Sequence, residues 1–142
     1  MAPVFCKSCS YLLSEDAVEL EVYRLLFDVA ELSARGARKG LIESQRQMNI
    51  NHVNTMFLTT IKNIWETQMR ATWSSIYLEV LIQKKENAFA EWRILIDELL
   101  ETHKDYSTQP DDIKRLILGV PIEPDYVQAP TIVGDLKEKD GK

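Results

Sequence analysis

The feature that most constrains the fold of this chain is a long stretch without glycine or proline. From Leu41 to Gln109, 69 consecutive residues contain neither. Apolar residues recur through this stretch at spacings of three and four, which is the pattern of amphipathic helices. Because glycine and proline are the residues that most often end helices and open turns, the stretch predicts one very long helix or two helices with a polar joint. The chain is therefore predicted to be all-α.

The length of this predicted helix, residues 41–106, argues that it does not stand alone. Sixty helical residues would extend about 90 Å, which is much longer than a compact domain of 142 residues. Asparagine competes for backbone hydrogen bonds, so the asparagine-containing segments 49–54 and 84–87 are predicted break points. We expect a helical bundle or hairpin built on this long central helix, which is either broken or covered by a partner.

A shorter helix is predicted before this stretch. Ser14 is a suitable N-cap, and the acidic residues after it favour the positive end of the helix dipole. Gly36, with Arg35 before it, predicts the end of this helix, and Gly40 repeats the break. The helix is expected over 15–35, with one apolar side formed by Val18, Val22, Leu25, Val29 and Leu32.

The C-terminal part of the chain is punctuated by proline and glycine. Pro110 and Gly119 bracket a predicted short helix over 110–118. Three further prolines within ten residues favour an extended conformation after it. The predicted organisation is an N-terminal lead over 1–14, a helical domain over 15–119 and an extended tail over 120–142.

An apolar stripe on the central helix is the first candidate binding surface. Trp65, Met69, Trp73 and Tyr77 follow one another at intervals of four residues. Such a face is typical of a bundle core, but tryptophan, tyrosine and methionine are also enriched in protein interfaces. The tail adds a second candidate, since an extended segment with apolar anchors can lie in a partner's groove. Its anchors are Ile122, Tyr126 and Val127.

Cys6 and Cys9 form the one spacing that could carry metal or thiol chemistry. A structural zinc site needs four ligands, and the chain offers only His52 and His103 in addition. Redox chemistry in a Cys-x-x-Cys motif would require a preceding strand, for which five residues leave too little room. Free or buried thiols, metal ligands shared with other groups, and a thiol site remain the three interpretations.

A basic cluster at residues 35–40 is the last candidate. Arg35, Arg38 and Lys39 are interleaved with Gly36 and Gly40, which predicts a glycine-flanked turn that could bind a phosphate group. The segment lacks the order of glycine, lysine and hydroxyl residues that defines a P-loop. Pairing with acidic residues of the same chain is the alternative interpretation.

Composition narrows the function further. The net charge of −5 and the isoelectric point of about 5.1 argue against general binding to nucleic acid or anionic membranes. Residues 36–96 carry a net +3 between ends of −3 and −5, which favours contact between the ends and the middle or between copies. No apolar run spans a bilayer and no secretory signal precedes the first helix, so the cytoplasm is the expected location, with the nucleus also open.

The sequence carries no catalytic or cofactor motif such as H-E-x-x-H or G-x-S-x-G. We therefore predict a non-enzymatic helical interaction subunit without a cofactor, which binds itself or other subunits of a larger assembly. It would do so through the apolar helix face and the C-terminal tail. The alternative is a small helical regulatory factor with a metal or thiol site at Cys6 and Cys9, contacting nucleic acid through residues 35–40.

Overall fold

The computed structural model describes residues 16–48, 55–118 and 120. Within these ranges the chain forms the helices α1 (Ala17–Met48), α2 (Thr55–Ile76), α3 (Ala88–Thr102) and α4 (Asp112–Leu118), and no strand. A π-helical turn over Tyr77–Ile82 continues α2, and a 3-10 turn over Lys104–Tyr106 follows α3. The predicted all-α class is confirmed.

The helices α1, α2 and α3 run up, down and up. The Trp65 ring lies against Gly36, whereas Trp73 Nε1, further along α2, donates to the carbonyl of Leu26 at 2.8 Å. Residues later in α2 thus meet residues earlier in α1, so these helices are antiparallel. In α3, Arg93 pairs with Asp28, and the carbonyl of Leu100 accepts a hydrogen bond from Arg35, so α3 runs parallel to α1.

The core lies where all three helices meet. Five apolar side chains form it, and each is almost completely shielded from solvent: Val22, Leu25, Val29, Ile76 and Ile96. Val22, Leu25 and Val29 lie on α1, and their burial confirms the middle part of the apolar row predicted from the sequence. Val18, which the same row contains, is 58% exposed because it lies one turn before the core.

The predicted helix end at Arg35 and Gly36 is wrong. Helix α1 continues through Gly36 and Gly40 to Met48, so residues 41–48 belong to α1 and not to the following helix. The reason is packing: a Cβ atom on Gly36 would lie 2.3 Å from a carbon of the Trp65 ring. Only glycine allows this approach, and here it brings two helices together rather than ending one.

The predicted break at 84–87 is confirmed. Lys84 and Asn87 have positive φ angles of 49° and 63°, and asparagine is among the residues that adopt this left-handed conformation most readily. Glu79 stabilises the connection, because its carboxylate accepts hydrogen bonds from Lys85 Nζ and Trp92 Nε1, each 2.8 Å long. The other predicted break, 49–54, lies outside the described residues.

The short C-terminal helix predicted over 110–118 is present as α4. The Asp112 carboxylate is buried and accepts a hydrogen bond from the backbone nitrogen of Gln109 at 2.8 Å, which closes the first turn. The predicted N-terminal lead over 1–14 lies outside the described residues, as does the tail apart from Val120.

Candidate functional site

Helix α3 covers only one half of α1. It has 15 residues against 32 in α1, so at 1.5 Å per residue it is about 22 Å long against about 48 Å. It ends beside Arg35. The 3-10 turn and Thr108 that follow α3 still contact α1 at Arg38, and α2 is the other described helix that packs on this part of α1. We call residues 17–37 with 65–102 the three-helix region, and residues 38–48 with 55–64 the distal hairpin.

The distal hairpin has no buried side chain among those described, 38–48 and 56–64. It is nevertheless rich in apolar residues, since Met56 is 79% exposed and Ile64 and Met48 are each 48% exposed. The remaining apolar side chains are half-buried: Leu41, Ile42, Phe57, Leu58 and Ile61. The three-helix region also exposes large apolar side chains, among them Phe27 and Ile94, but it has a buried core as well, which the described part of the hairpin lacks.

A groove runs between α2 and α3 above α1 and has a volume of about 210 Å³. Trp65, Gln68 and Thr72 line it from α2. Ile61 and Phe57 precede Trp65 at intervals of four residues, so they continue the same side of α2 into the distal hairpin. The row of α2 that contains Trp65 thus continues as apolar side chains beyond the end of α3.

The side of α1 that contacts α3 also continues beyond the end of α3. Asp28 and Arg35 both contact α3. Lys39, Ile42 and Arg46 follow Arg35 at intervals of four, three and four residues, and therefore lie on the same side of α1 beyond α3. Together with Phe57, Ile61 and Ile64 of α2, they border the place where a longer third helix would lie. We call this place the open third-helix position.

The distal hairpin is also cationic. Its described ranges contain four basic residues and one acidic residue, whereas the whole chain has a net charge of −5. The acidic residue is Glu43, whose carboxylate lies 4.0 Å from Lys39 Nζ. The basic residues are Arg38, Lys39, Arg46 and Lys62.

A polar network marks the boundary between the two regions. The Glu31 carboxylate accepts hydrogen bonds from the backbone nitrogen of Thr108 and from Arg35 Nε, each at 2.8 Å. Arg38 donates to Thr108 Oγ1 at 2.7 Å. Partial burial acts to raise the pKa of Glu31, but the hydrogen bonds from Thr108 and Arg35 outweigh it and hold the pKa below its ordinary value. The network fixes the segment after α3 to the middle of α1.

The predicted glycine-flanked turn at 35–40 is wrong, because Arg35, Arg38 and Lys39 lie within α1. The continuous helix follows from the packing at Gly36. Arg35 donates to Glu31 and to the carbonyl of Leu100, and Arg38 donates to the carbonyl of Tyr106. Each of the three cations also has an acidic partner in the same chain, as the alternative interpretation expected: Glu31 for Arg35 and Arg38, and Glu43 for Lys39. Anion binding by the cluster stays a prediction.

The predicted stripe divides between the core and the surface. Met69 and Trp73 pack around the core and Trp65 packs against Gly36, so these three follow the bundle-core interpretation. Tyr77 is 45% exposed. The other predicted sites, Cys6 and Cys9 in the lead and Ile122, Tyr126 and Val127 in the tail, lie outside the described residues.

Sequence reasoning missed Ile42, Arg46 and Phe57 as surface candidates. The signal was the helical period of α1, which continues past Gly40 into Ile42 and Arg46. Gly36 and Gly40 hide this signal, because glycine also favours a helix end.

No protein-family model, curated protein or solved structure matches the chain. Among the described helices, none has the length and apolar character needed to cross a membrane. No group of three or more His, Cys, Asp or Glu residues within 16–48, 55–118 and 120 is arranged to hold a metal ion.

Proposed function

We propose that this protein is a non-enzymatic helical interaction subunit whose distal hairpin is the binding surface for another protein chain. The observation that carries the proposal is the mismatch in helix length. Helices α1 and α2 extend past α3 with their apolar sides exposed or half-buried, so a third element from another chain would complete the packing.

The energetics of helices support this function. Most helical stability in proteins comes from packing an amphipathic face, and each large apolar side chain fully removed from water contributes about 1.5–3 kcal/mol. In the distal hairpin this contribution is only partly realised within the chain. Covering Ile61, Ile64 and Phe57 would bury further apolar surface while leaving the core of the three-helix region unchanged.

The proposed surface differs from the stripe predicted by sequence. Trp65, Met69 and Trp73 pack mainly within the chain. The proposed binding surface therefore lies nearer the N-terminal end of α2 than the predicted stripe does. The apolar tail residues remain a second expected contact, because an extended segment could bind the same partner as the hairpin.

Site-specific photo-crosslinking in cells that make the protein tests this proposal. p-Benzoylphenylalanine replaces Ile64, which is 48% exposed in the distal hairpin, or Leu78, which is 46% exposed in the three-helix region. We expect irradiation to give a covalent adduct of defined mass from position 64 and little or none from position 78. Mass spectrometry of the adduct would identify the other chain.

The two positions are matched in exposure and side-chain class, so a general tendency of apolar surface to crosslink would label both. Equal labelling at 64 and 78, or none at 64, would contradict a binding surface on the distal hairpin. Circular dichroism of each labelled protein verifies that the helices are intact.

A further inference from the structure

We infer that the open third-helix position is built for an acidic amphipathic helix of the partner. The inference rests on the proposed function and adds the chemistry of the occupant. Two features of the molecule support it: the length of α1 and α2 that extends beyond α3, and the charge of the residues that border the open third-helix position.

The shape suits a short helix. Residues 38–48 of α1 rise by about 15 Å, roughly three helical turns. Apolar residues of a bound helix at positions i, i+3 or i+4 and i+7 span about 10.5 Å. They could therefore contact Ile42 on α1 and both Ile61 and Ile64 on α2 within the available length.

The charge favours an acidic occupant. Lys39 and Arg46 are seven residues apart, two turns of the helix, on the side of α1 that borders the open position. Acidic residues beside the apolar stripe of a bound helix would lie close to both. Complementary charges across an interface favour the right partner and disfavour like-charged ones.

The molecule itself provides a precedent in α3. This helix carries four acidic residues and one basic residue, and it packs on α1 through Trp92, Ile96 and neighbouring apolar side chains. Arg35 of α1 binds its final turn through the carbonyl of Leu100. An amphipathic helix thus already occupies the first half of this side of α1. The ion pair at its start has the opposite sense, since Asp28 of α1 binds Arg93 of α3, whereas Arg35, Lys39 and Arg46 make the later part of the border cationic.

A second copy of the chain fits this position less well. In a symmetric dimer the same patch meets itself, so two distal hairpins, each with four basic residues and one acidic residue, would face each other. Like charges brought together at an interface oppose association.

Calorimetric titration with two synthetic helical peptides tests the inference. Both have about 18 residues and the same leucine stripe at helical spacing, and the positions beside the stripe are all glutamate in one peptide and all lysine in the other. We expect the glutamate peptide to bind the full chain about tenfold more tightly at low salt. The difference should narrow as salt screens the charges.

Paired charge reversals locate the effect. In the double variant K39E/R46E the preference should invert, so that the lysine peptide binds more tightly. The matched control R24E/R70E changes the net charge by the same amount at two exposed cations of the three-helix region, which pair locally with Glu21 and Glu66. It should keep the preference for the glutamate peptide.

The possible outcomes distinguish this inference from the proposed function, which is the binding surface on the distal hairpin. Equal binding of both peptides, or a preference that K39E/R46E leaves unchanged, would overturn the acidic helix while leaving the distal hairpin as a binding surface. Failure of both peptides to bind would overturn the inference that an acidic amphipathic helix occupies this position. An adduct at position 64 whose mass is twice that of the chain would overturn it in favour of a second copy.

Discussion

The three-helix region and the distal hairpin are made from the same two helices, yet only one of them has a core. Helix α1 contributes three buried apolar side chains before Ala34 and none after Ala37 among the described residues. Apolar residues continue at helical spacing in both regions. The difference is α3, which supplies the third side in one region and ends before the other, so an apolar helix face becomes core only where a third element covers it.

The sharpest test of this difference removes one isoleucine side chain from each region. Ile76→Ala should lower the free energy of unfolding by about 2–5 kcal/mol, because it leaves a cavity in a fully packed core. Ile61→Ala should lower it by about 1 kcal/mol, because Ile61 is only half-buried and so loses less burial. Urea denaturation followed by circular dichroism measures both, and equal losses would mean that the two regions are equally well packed.

The boundary between the regions can be tested at its two glycines. Gly36→Ala should destabilise the protein by about 1–3 kcal/mol, since the new Cβ atom would overlap the Trp65 ring. Gly40→Ala should stabilise it by about 0.5–1 kcal/mol, because a Cβ there would lie 3.7 Å from Trp65 Nε1, an ordinary contact. Thermal unfolding of the two variants gives the signs, and a stabilising Gly36→Ala would show that the helices are not held at this distance.

The smallest expected effect concerns the polar network. Glu31 has a lowered pKa in the folded protein, so its contribution to stability is complete above its ordinary pKa of 4.5 and is lost as the pH falls through the lower folded value. Glu31→Gln should cost about 1 kcal/mol at pH 7 and should reduce the loss of stability on acidification below pH 4.5.

Urea denaturation at pH 7 and at a series of values below 4.5 measures this effect. Glu43→Gln is the matched control, because Glu43 forms an exposed pair with Lys39 and such pairs contribute little. An acid response of Glu31→Gln identical to that of the unchanged protein would remove the network as a source of the pH dependence.

The sequence predicted the helical class and part of the core from local signals alone. The row through Val22, Leu25 and Val29 follows from helical spacing, and the break at Asn87 follows from the tolerance of asparagine for left-handed backbone. These features depend on residues close together in the chain, so sequence patterns suffice to find them.

The end of α1 could not be predicted in this way. Glycine ends helices and also permits close helix packing, and the choice at Gly36 depends on Trp65, which lies 29 positions away in the chain. The candidate surface was missed for the same reason. Its position depends on where α3 ends relative to α1, which is a property of the packed helices and not of any single segment.

The contact between Trp65 and Gly36 has a spectroscopic consequence. This indole lies at the border between the covered and uncovered parts of the molecule, whereas Trp73 and Trp92 are both anchored by hydrogen bonds from their indole nitrogens within the three-helix region. A helix arriving beside Ile61 would exclude water next to Trp65 first and shift its emission to shorter wavelength. The protein therefore contains an intrinsic fluorophore at the edge of its own proposed binding surface.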